Sequence, residues 1–316
     1  MLQIFVNANY DFVGKRRWFY LASGGLMLLS LIWIFFVGGL NYGIDFTGGA
    51  LVQVRYDKPA SVDLVRRGLD QIKLGNAVIQ QFGDAQEYLI RLPQGGEKPD
   101  QLAKDVQGAL EKVAGGKVEI RRIEFVGPQV GRDLQLQALY AVLAGMAGIL
   151  IYVAFRFHFR DGVISVAAIA HDVIVTLGAL SVTQREMSLP VLAALLTIVG
   201  YSINDTIVVF DRIRESRGKG IRKGQTMAEL VNTAMNQTLS RTLLTSFTTF
   251  IAALVLLIFG GEVLRDFAFA LVIGVVTGTY SSIAAASLVL DWENWSRARN
   301  KTATKLPTKA KAKAKA

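Results

Sequence analysis

Six stretches of the chain are apolar over about the twenty residues that a helix needs to cross roughly 30 Å of hydrocarbon. They fall at 18–40, 134–155, 163–183, 190–210, 241–259 and 267–290. Between the first and second the pattern changes to short runs bounded by turns. The segment 50–56 (ALVQVRY) alternates like a strand, and 61–74 opens with Ser61 as a cap and repeats apolar residues at Val62, Leu64, Val65, Leu69 and Ile72, a helical period. Strands are expected at 77–82 and 87–92 around Gly83-Asp84, a helix at 99–113 with Pro99 near its start, and a last strand at 118–126. The order βαββαβ predicts an α+β, ferredoxin-like domain with two helices on one face of a small sheet. The fold class is a polytopic α-helical membrane protein with six transmembrane helices in a 1 + 5 arrangement, the external domain occupying 41–130.

Charge orients this pattern. The net charge of +10 in 316 residues is concentrated in four places. Lys15, Arg16 and Arg17 precede the first span, and Arg156 and Arg160 lie between the second and third. Arg212, Arg214, Arg217, Lys219, Arg222 and Lys223 follow the fourth, and eight Lys or Arg lie from Arg297 onward. The connections 184–189 and 260–266 carry one basic residue each, Arg185 and Arg265. Basic loops stay in the cytoplasm, so the N-terminus (1–17), a basic loop (211–240) and a lysine-rich tail (291–316) are expected there, with 41–130 outside. That external segment has 12 basic and 12 acidic residues, which argues against a specific nucleic-acid partner. The tail reads as a solvated segment or a contact with anionic lipid or ribosomal RNA. The first span lacks a small-x-small cleavage site after its apolar run and reads as an uncleaved anchor. Cysteine is absent, which excludes thiol chemistry and leaves the external domain to its own core.

With 52% hydrophobic residues, the few polar groups inside the spans become the candidates for chemistry. Asp205 lies in PVLAALLTIVGYSINDTIVVF, and Arg241 opens the fifth span. A charged residue at the bilayer centre costs about 2.5–3.5 kcal/mol on insertion scales, so these two are expected to face each other or a water-filled path. Thr197, Tyr201, Asn204 and Asp205 follow a 4, 3, 1 spacing along one side of a helix, and Thr238, Arg241, Thr242, Thr245, Thr248 and Thr249 do the same on the fifth span. The sixth adds Thr277, Thr279, Tyr280, Ser281 and Ser282. Carboxylate, arginine and water-holding hydroxyls are the chemistry of a proton path, in which the position of Arg241 governs whether Asp205 carries a proton. Asp205, Arg241, Asn204 and Thr245 are the expected relay. His171, Asp172, Tyr201 and Ser202 are candidates for relay or for an interface, and a static buried ion pair is the structural alternative. Gly274-x-x-x-Gly278 and Gly145-x-x-Gly148 mark close helix packing. His158 reads as interfacial.

No phosphate-binding Gly-x-x-x-x-Gly-Lys run is present, and no Ser, His and Asp arrangement suggests a hydrolase. No enzymatic activity, cofactor or metal is expected. Work, if performed, would draw on an ion gradient, at about 2.3 kcal/mol per charge per 100 mV.

Three motifs carry a resemblance. Gly43-Ile44-Asp45-Phe46-Thr47-Gly48-Gly49 follows the first span, GYSINDTIVVFDRIRE covers 200–215, and GTYSSI covers 278–283. Together they closely resemble the SecF family of bacterial protein-export membrane proteins, over nearly the whole chain. The resemblance implies pairing with SecD, a six-span relative, in a unit of the resistance-nodulation-division type. It also implies association with the SecYEG channel and YajC, location in the bacterial inner membrane with a periplasmic domain, and use of the proton motive force to complete preprotein translocation. The family's proton-transport aspartate and arginine fall on Asp205 and Arg241. Gly43, Asp45, Phe46, Gly48 and Gly49 are expected to form a hinge or coupling joint between membrane helix and external sheet. Half of a proton-coupled small-molecule exporter and a non-transporting scaffold are the competing readings.

Overall fold

In the computed structural model, residues 8–92, 99–220 and 224–305 are described. The expectations for Arg222, Lys223 and the end of the lysine-rich tail lie outside them. The first helix, α1 (Arg16–Ile32), continues through a π-helical turn at Trp33–Val37. The chain then forms β1 (Asn41–Tyr42), the single turn α2 (Ile44–Thr47), and the external elements β2 (Gly49–Tyr56), α3 (Val62–Gln71), β3 (Val78–Gln81), β4 (Glu87–Leu92), α4 (Pro99–Ala114) and β5 (Val118–Val126). Five further long helices follow: α5 (Pro128–Arg156), α6 (Phe159–Val182), α7 (Leu189–Gly218), α8 (Met227–Phe259) and α9 (Gly261–Lys305), with β6 (Glu186–Met187) between α6 and α7. Among the described residues, six helices are long and apolar enough to cross a membrane.

The external elements run βαββαβ, and their four strands pair antiparallel in the order β3-β4-β2-β5. Ser61 caps α3 by accepting the Leu64 amide, which satisfies one of the free donors at the helix start. Val52 and Val54 of β2, Tyr88, Ile90 and Leu92 of β4, Val65 and Leu69 of α3, and Leu102, Val106 and Leu110 of α4 close one apolar core. The alternation along β2 and the helical period of α3 put these residues on one side, so burial follows from the pattern itself. The Tyr88 hydroxyl donates to the Ala60 carbonyl at 2.5 Å, so the ring is buried without an orphaned polar end.

In the membrane part α9 packs against α6, α7 and α8. Gly274 faces Ile198 of α7 so closely that a Cβ there would lie 2.3 Å from that side chain, and at Gly278 it would lie 3.4 Å from the Cβ of Ser202. Glycine at 274 is what lets α9 lie this close to α7, whereas at 278 a Cβ would make an ordinary contact. Gly145 and Gly148 of α5 do not act this way, because a Cβ at either would meet nothing within 4 Å.

The expected basic loop at 211–240 is largely helix. α7 continues to Gly218, and α8 begins at Met227 behind a reciprocal capping box of Thr226 and Glu229. Basic residues end the apolar stretch but not the helix. Arg212 and Lys219 pair with Glu215 at 2.5 and 2.6 Å, three and four residues away on the same face. The segment after 290 likewise stays helical to Lys305.

The fully buried Leu69 tests the external core. Leu69→Ala is expected to cost about 2–5 kcal/mol, whereas the exposed Arg67→Ala stays within about 0.5 kcal/mol. Limited proteolysis of the detergent-purified protein, read at the external domain, should show faster cleavage for Leu69→Ala alone.

Candidate functional site

The polar residues of the spans sort into an inward and an outward set that spacing alone does not separate. On α7, Ser202, Asp205 and Thr206 are buried, Tyr201 is half-buried, and Thr197 and Asn204 are exposed. Successive residues are about 100° apart around a helix, so Asn204 and Asp205 face different surroundings. On α8, Thr238, Thr242 and Ser246 form a buried row at intervals of four, while Arg241 and Thr248 are exposed and Thr245 lies at the border. Ser246, absent from the expected set, donates to Asp205 from α8, and the expected Thr245 and Arg241 lie near the same carboxylate.

Besides Asp161 at the start of α6, two carboxylates are buried in the middle of the described spans. Asp205 is 2% exposed, and its Oδ2 accepts from the Ser246 hydroxyl at 3.3 Å. Ser246 is also 3.0 Å from the Tyr201 hydroxyl and 2.7 Å from that of Thr279 on α9, so one hydroxyl joins α7, α8 and α9. Arg241 makes no ion pair with Asp205 among the described residues. Arg241 stands near enough for its charge to act on Asp205, while the hydrogen bond comes from a serine more than a turn further along α8. The Thr245 hydroxyl turns back to the Arg241 and Thr242 carbonyls, both at 3.0 Å.

Asp172 on α6 is fully buried and more richly held. Its Oδ2 accepts from Ser202 at 2.5 Å and from Ser281 at 2.8 Å, and its Oδ1 lies 2.9 Å from His171 Nδ1. Three helices thus converge on one side chain. Ser281 stands two residues from Thr279, so within one turn α9 touches Asp172 directly and reaches Asp205 through Ser246. Tyr280 between them points the other way, donating to the Phe19 carbonyl of α1 at 2.7 Å.

The glycine-rich corner below the external domain is the third constellation. Gly48 and Gly49 have φ of +72° and +122°, and a Cβ on Gly48 would lie 2.8 Å from the Cα of Pro128. Gly43 differs from the expectation of an unusual backbone, because its φ is −70° and what it provides is room: a Cβ would lie 2.4 Å from Glu186 Oε1. Phe46 is buried, and its carbonyl accepts from Gln135 at 2.8 Å. Asp45 Oδ2 accepts the Leu189 amide at the start of α7 at 2.9 Å. β1 pairs with β6 in parallel, Asn41 with Glu186 and Tyr42 with Met187. Glu186 pairs with Arg91 of β4. Burial pushes the Glu186 carboxyl above the usual carboxylate range. Arg91 opposes this, and Asp266, Asp45 and Glu124 reinforce it.

Residues 105–295 match the model "Protein export membrane protein SecD/SecF, C-terminal", and residues 33–60 match "SecD/SecF GG Motif". The chain belongs to the SecF family. It is 47% identical over 283 residues to the protein translocase subunit SecF of Calditerrivibrio nitroreducens, covering 89% of this chain and 93% of that one. It is 44% identical to the SecF of Escherichia coli O157:H7, covering 88% and 86%. Among solved structures it is similar to SecDF of Thermus thermophilus, a translocon-associated membrane protein, at a TM-score of 0.82 and 43% identity. That match covers 92% of this chain and 39% of the longer SecDF chain. Among the described residues no group of three or more His, Cys, Asp or Glu is placed to hold a metal ion.

Asp172 provides a direct test of the buried network. Asp172→Leu leaves Ser202 and His171 without their acceptor, at about 1–3 kcal/mol for each orphaned group, while Ser281 keeps the Gly278 carbonyl at 3.1 Å. Asp172→Asn keeps an acceptor in place. Thermal unfolding in detergent should therefore fall steeply for the leucine variant and much less for the asparagine variant.

Proposed function

We propose that this chain is the SecF-type subunit of a unit formed with SecD, which uses the proton motive force to assist late stages of preprotein translocation through the SecYEG channel. In this reading the termini face the cytoplasm, the external domain faces the periplasm, and YajC, the preprotein and the surrounding lipid complete the set of partners. The observation that carries the reading is Asp205, a carboxylate inside a membrane-spanning helix that is held by hydroxyl contact rather than by a closed ion pair, with the charge of Arg241 nearby.

A group held this lightly can exchange a proton without dismantling its surroundings. Ser246, Tyr201 and Thr279 each carry one hydroxyl proton and join three helices, so reorienting one hydroxyl redistributes hydrogen bonds among all three. Arg241, Asn204 and Thr197 lie on the outward side of the same helices, where a second membrane subunit would complete the path. Arg241 brought toward Asp205 would favour its ionised form, and withdrawn would favour the protonated one. The hydroxyl-ringed Asp172 serves as a fixed point against which α7 and α9 are registered, with His171 orienting its second oxygen. In the corner Gly43, Asp45, Phe46, Gly48 and Gly49 form the coupling joint that carries helix displacement into the external domain.

The scaffold reading draws on Asp172, whose three partners satisfy it as a static structural group would be satisfied. The two readings part at Asp205. In inverted vesicles containing the partner subunit, Asp205→Asn and Arg241→Met are expected to abolish gradient-stimulated completion of preprotein import while protein levels and copurification with SecD stay normal. Unchanged gradient stimulation in both variants would favour the scaffold.

A further inference from the structure

Arg91 comes from β4, an inner strand of the external sheet, where it stands opposite Leu51 of β2 and Val78 of β3. It is 9% exposed, and it leaves its own domain to meet Glu186 of β6. A second guanidinium nitrogen lies 3.5 Å from the Asn41 side chain of β1. Two chain crossings join the external domain to the membrane part, one at α2 and Gly48, the other at Gly127-Pro128. Arg91 adds a side-chain bridge from the interior of the sheet.

Its receptor is tied to α9 and to α7, the helix that carries Asp205. The Glu186 amide donates to Asp266 Oδ2 on α9 at 3.1 Å, and Asp266 Oδ1 takes Arg185 at 2.6 Å. Three residues after Glu186, the first amide of α7 donates to Asp45. Displacing α7 or α9 along its axis therefore moves the carboxylate that Arg91 grips. The charges that face Glu186 are Arg91 from β4, Glu124 from β5, Asp45 from α2 and Asp266 from α9, with Arg185 engaged by Asp266.

We propose that the Arg91–Glu186 pair is an electrostatic latch that holds the external sheet docked on the ends of α7 and α9 and releases it when those helices shift. Release rests on the proposed function, in which the external domain works by moving; docking by the pair does not. Such a pair suits a latch because it is not deep. Burying two charges consumes most of what their attraction returns, and here burial outweighs Arg91 in its effect on Glu186. With Arg91 withdrawn, Glu124 of the sheet, itself paired with Arg122, faces Glu186, Asp45 and the Arg185-bound Asp266 with like charge. The geometry thus opposes partial separation.

The chain contains no cysteine, so two introduced thiols can be spin-labelled selectively. Arg67→Cys on α3 and Val263→Cys on α9 place exposed labels on the two bodies. Distances would be measured by pulsed electron paramagnetic resonance on the full chain assembled with its partner subunit. The unsubstituted latch should give one narrow distribution. Arg91→Glu should add a longer-distance population, raising the undocked fraction about tenfold or more. Arg91→Gln should do so to a smaller degree, and the exchanged pair Arg91→Glu with Glu186→Arg should restore the narrow distribution. A narrow distribution retained in Arg91→Glu, or an exchanged pair as open as the single variant, would overturn the latch. The vesicle assay on Asp205→Asn separates this from the proton-driven reading: a latch that opens and closes as described, with gradient stimulation intact in Asp205→Asn, leaves the latch standing and removes the motor.

Discussion

The membrane part is organised by the need to keep two carboxylates inside an apolar bundle. Each must find donors from neighbouring helices, since the bilayer supplies none. The donors here are short hydroxyls, and a short hydroxyl reaches a carboxylate only if the helices approach closely. α9 makes that approach with Gly274 and Gly278 against α7 and with buried Ala284, Ala285 and Ala286 one to three turns further on. A Cβ at Gly278 would also lie 3.6 Å from Asp172 Oδ2, so the close contact and the buried charge share one place. Small residues, close helices and satisfied carboxylates are one arrangement seen at three levels.

Much of this was legible beforehand, for identifiable reasons. A charge in an apolar stretch stands out whatever its partners, so Asp205 could be found from its neighbours in sequence alone. The partner of Asp205 could not. Ser246 sits beside Thr245 among five threonines, and only the rotational phase of α8 relative to α7 decides which of the two faces inward. Asp172 shows the same limit, because Ser202 and Ser281 come from segments 30 and 109 residues away and a hydroxyl in a span is unremarkable by itself. The external domain read more easily. Its strands and helices each bury a face of their own period, whereas the Arg91–Glu186 contact joins residues 95 apart in regions of balanced charge.

The basic segment after the fourth span shows what charge does and does not report. Lysine and arginine mark where the hydrocarbon ends, which is why they orient the chain. They are also good helix formers, and with acidic residues at matching intervals they extend a helix into water. Arg212 reaches across to Gln237 at 2.7 Å, so α7 and α8 are joined beyond the apolar region as well as within it. At 45 residues, α9 would measure roughly 68 Å if straight, more than twice the hydrocarbon thickness. A displacement of its membrane portion therefore has a long lever outside.

The two carboxylates differ in a way that bears on how such a lever would be driven. Asp172 has both oxygens engaged, by three side chains on α6, α7 and α9, so moving any of these helices breaks a hydrogen bond that nothing else in an apolar interior replaces. Asp205 has a longer hydrogen bond from Ser246, which Tyr201 and Thr279 share, and the charge of Arg241 nearby without a closed ion pair. Helix motion around Asp172 is costly, and motion around Asp205 is cheap. A rigid-body change would then pivot near Asp172 and open near Asp205, on the side where Arg241 and Asn204 are exposed. Because α7 and α9 begin at Leu189 and Gly261, beside Asp45, Glu186 and Asp266, a pivot at their middle displaces their external ends. Those ends are where the external domain is docked, so the uneven hydrogen bonding inside the bundle determines which contact outside it must yield.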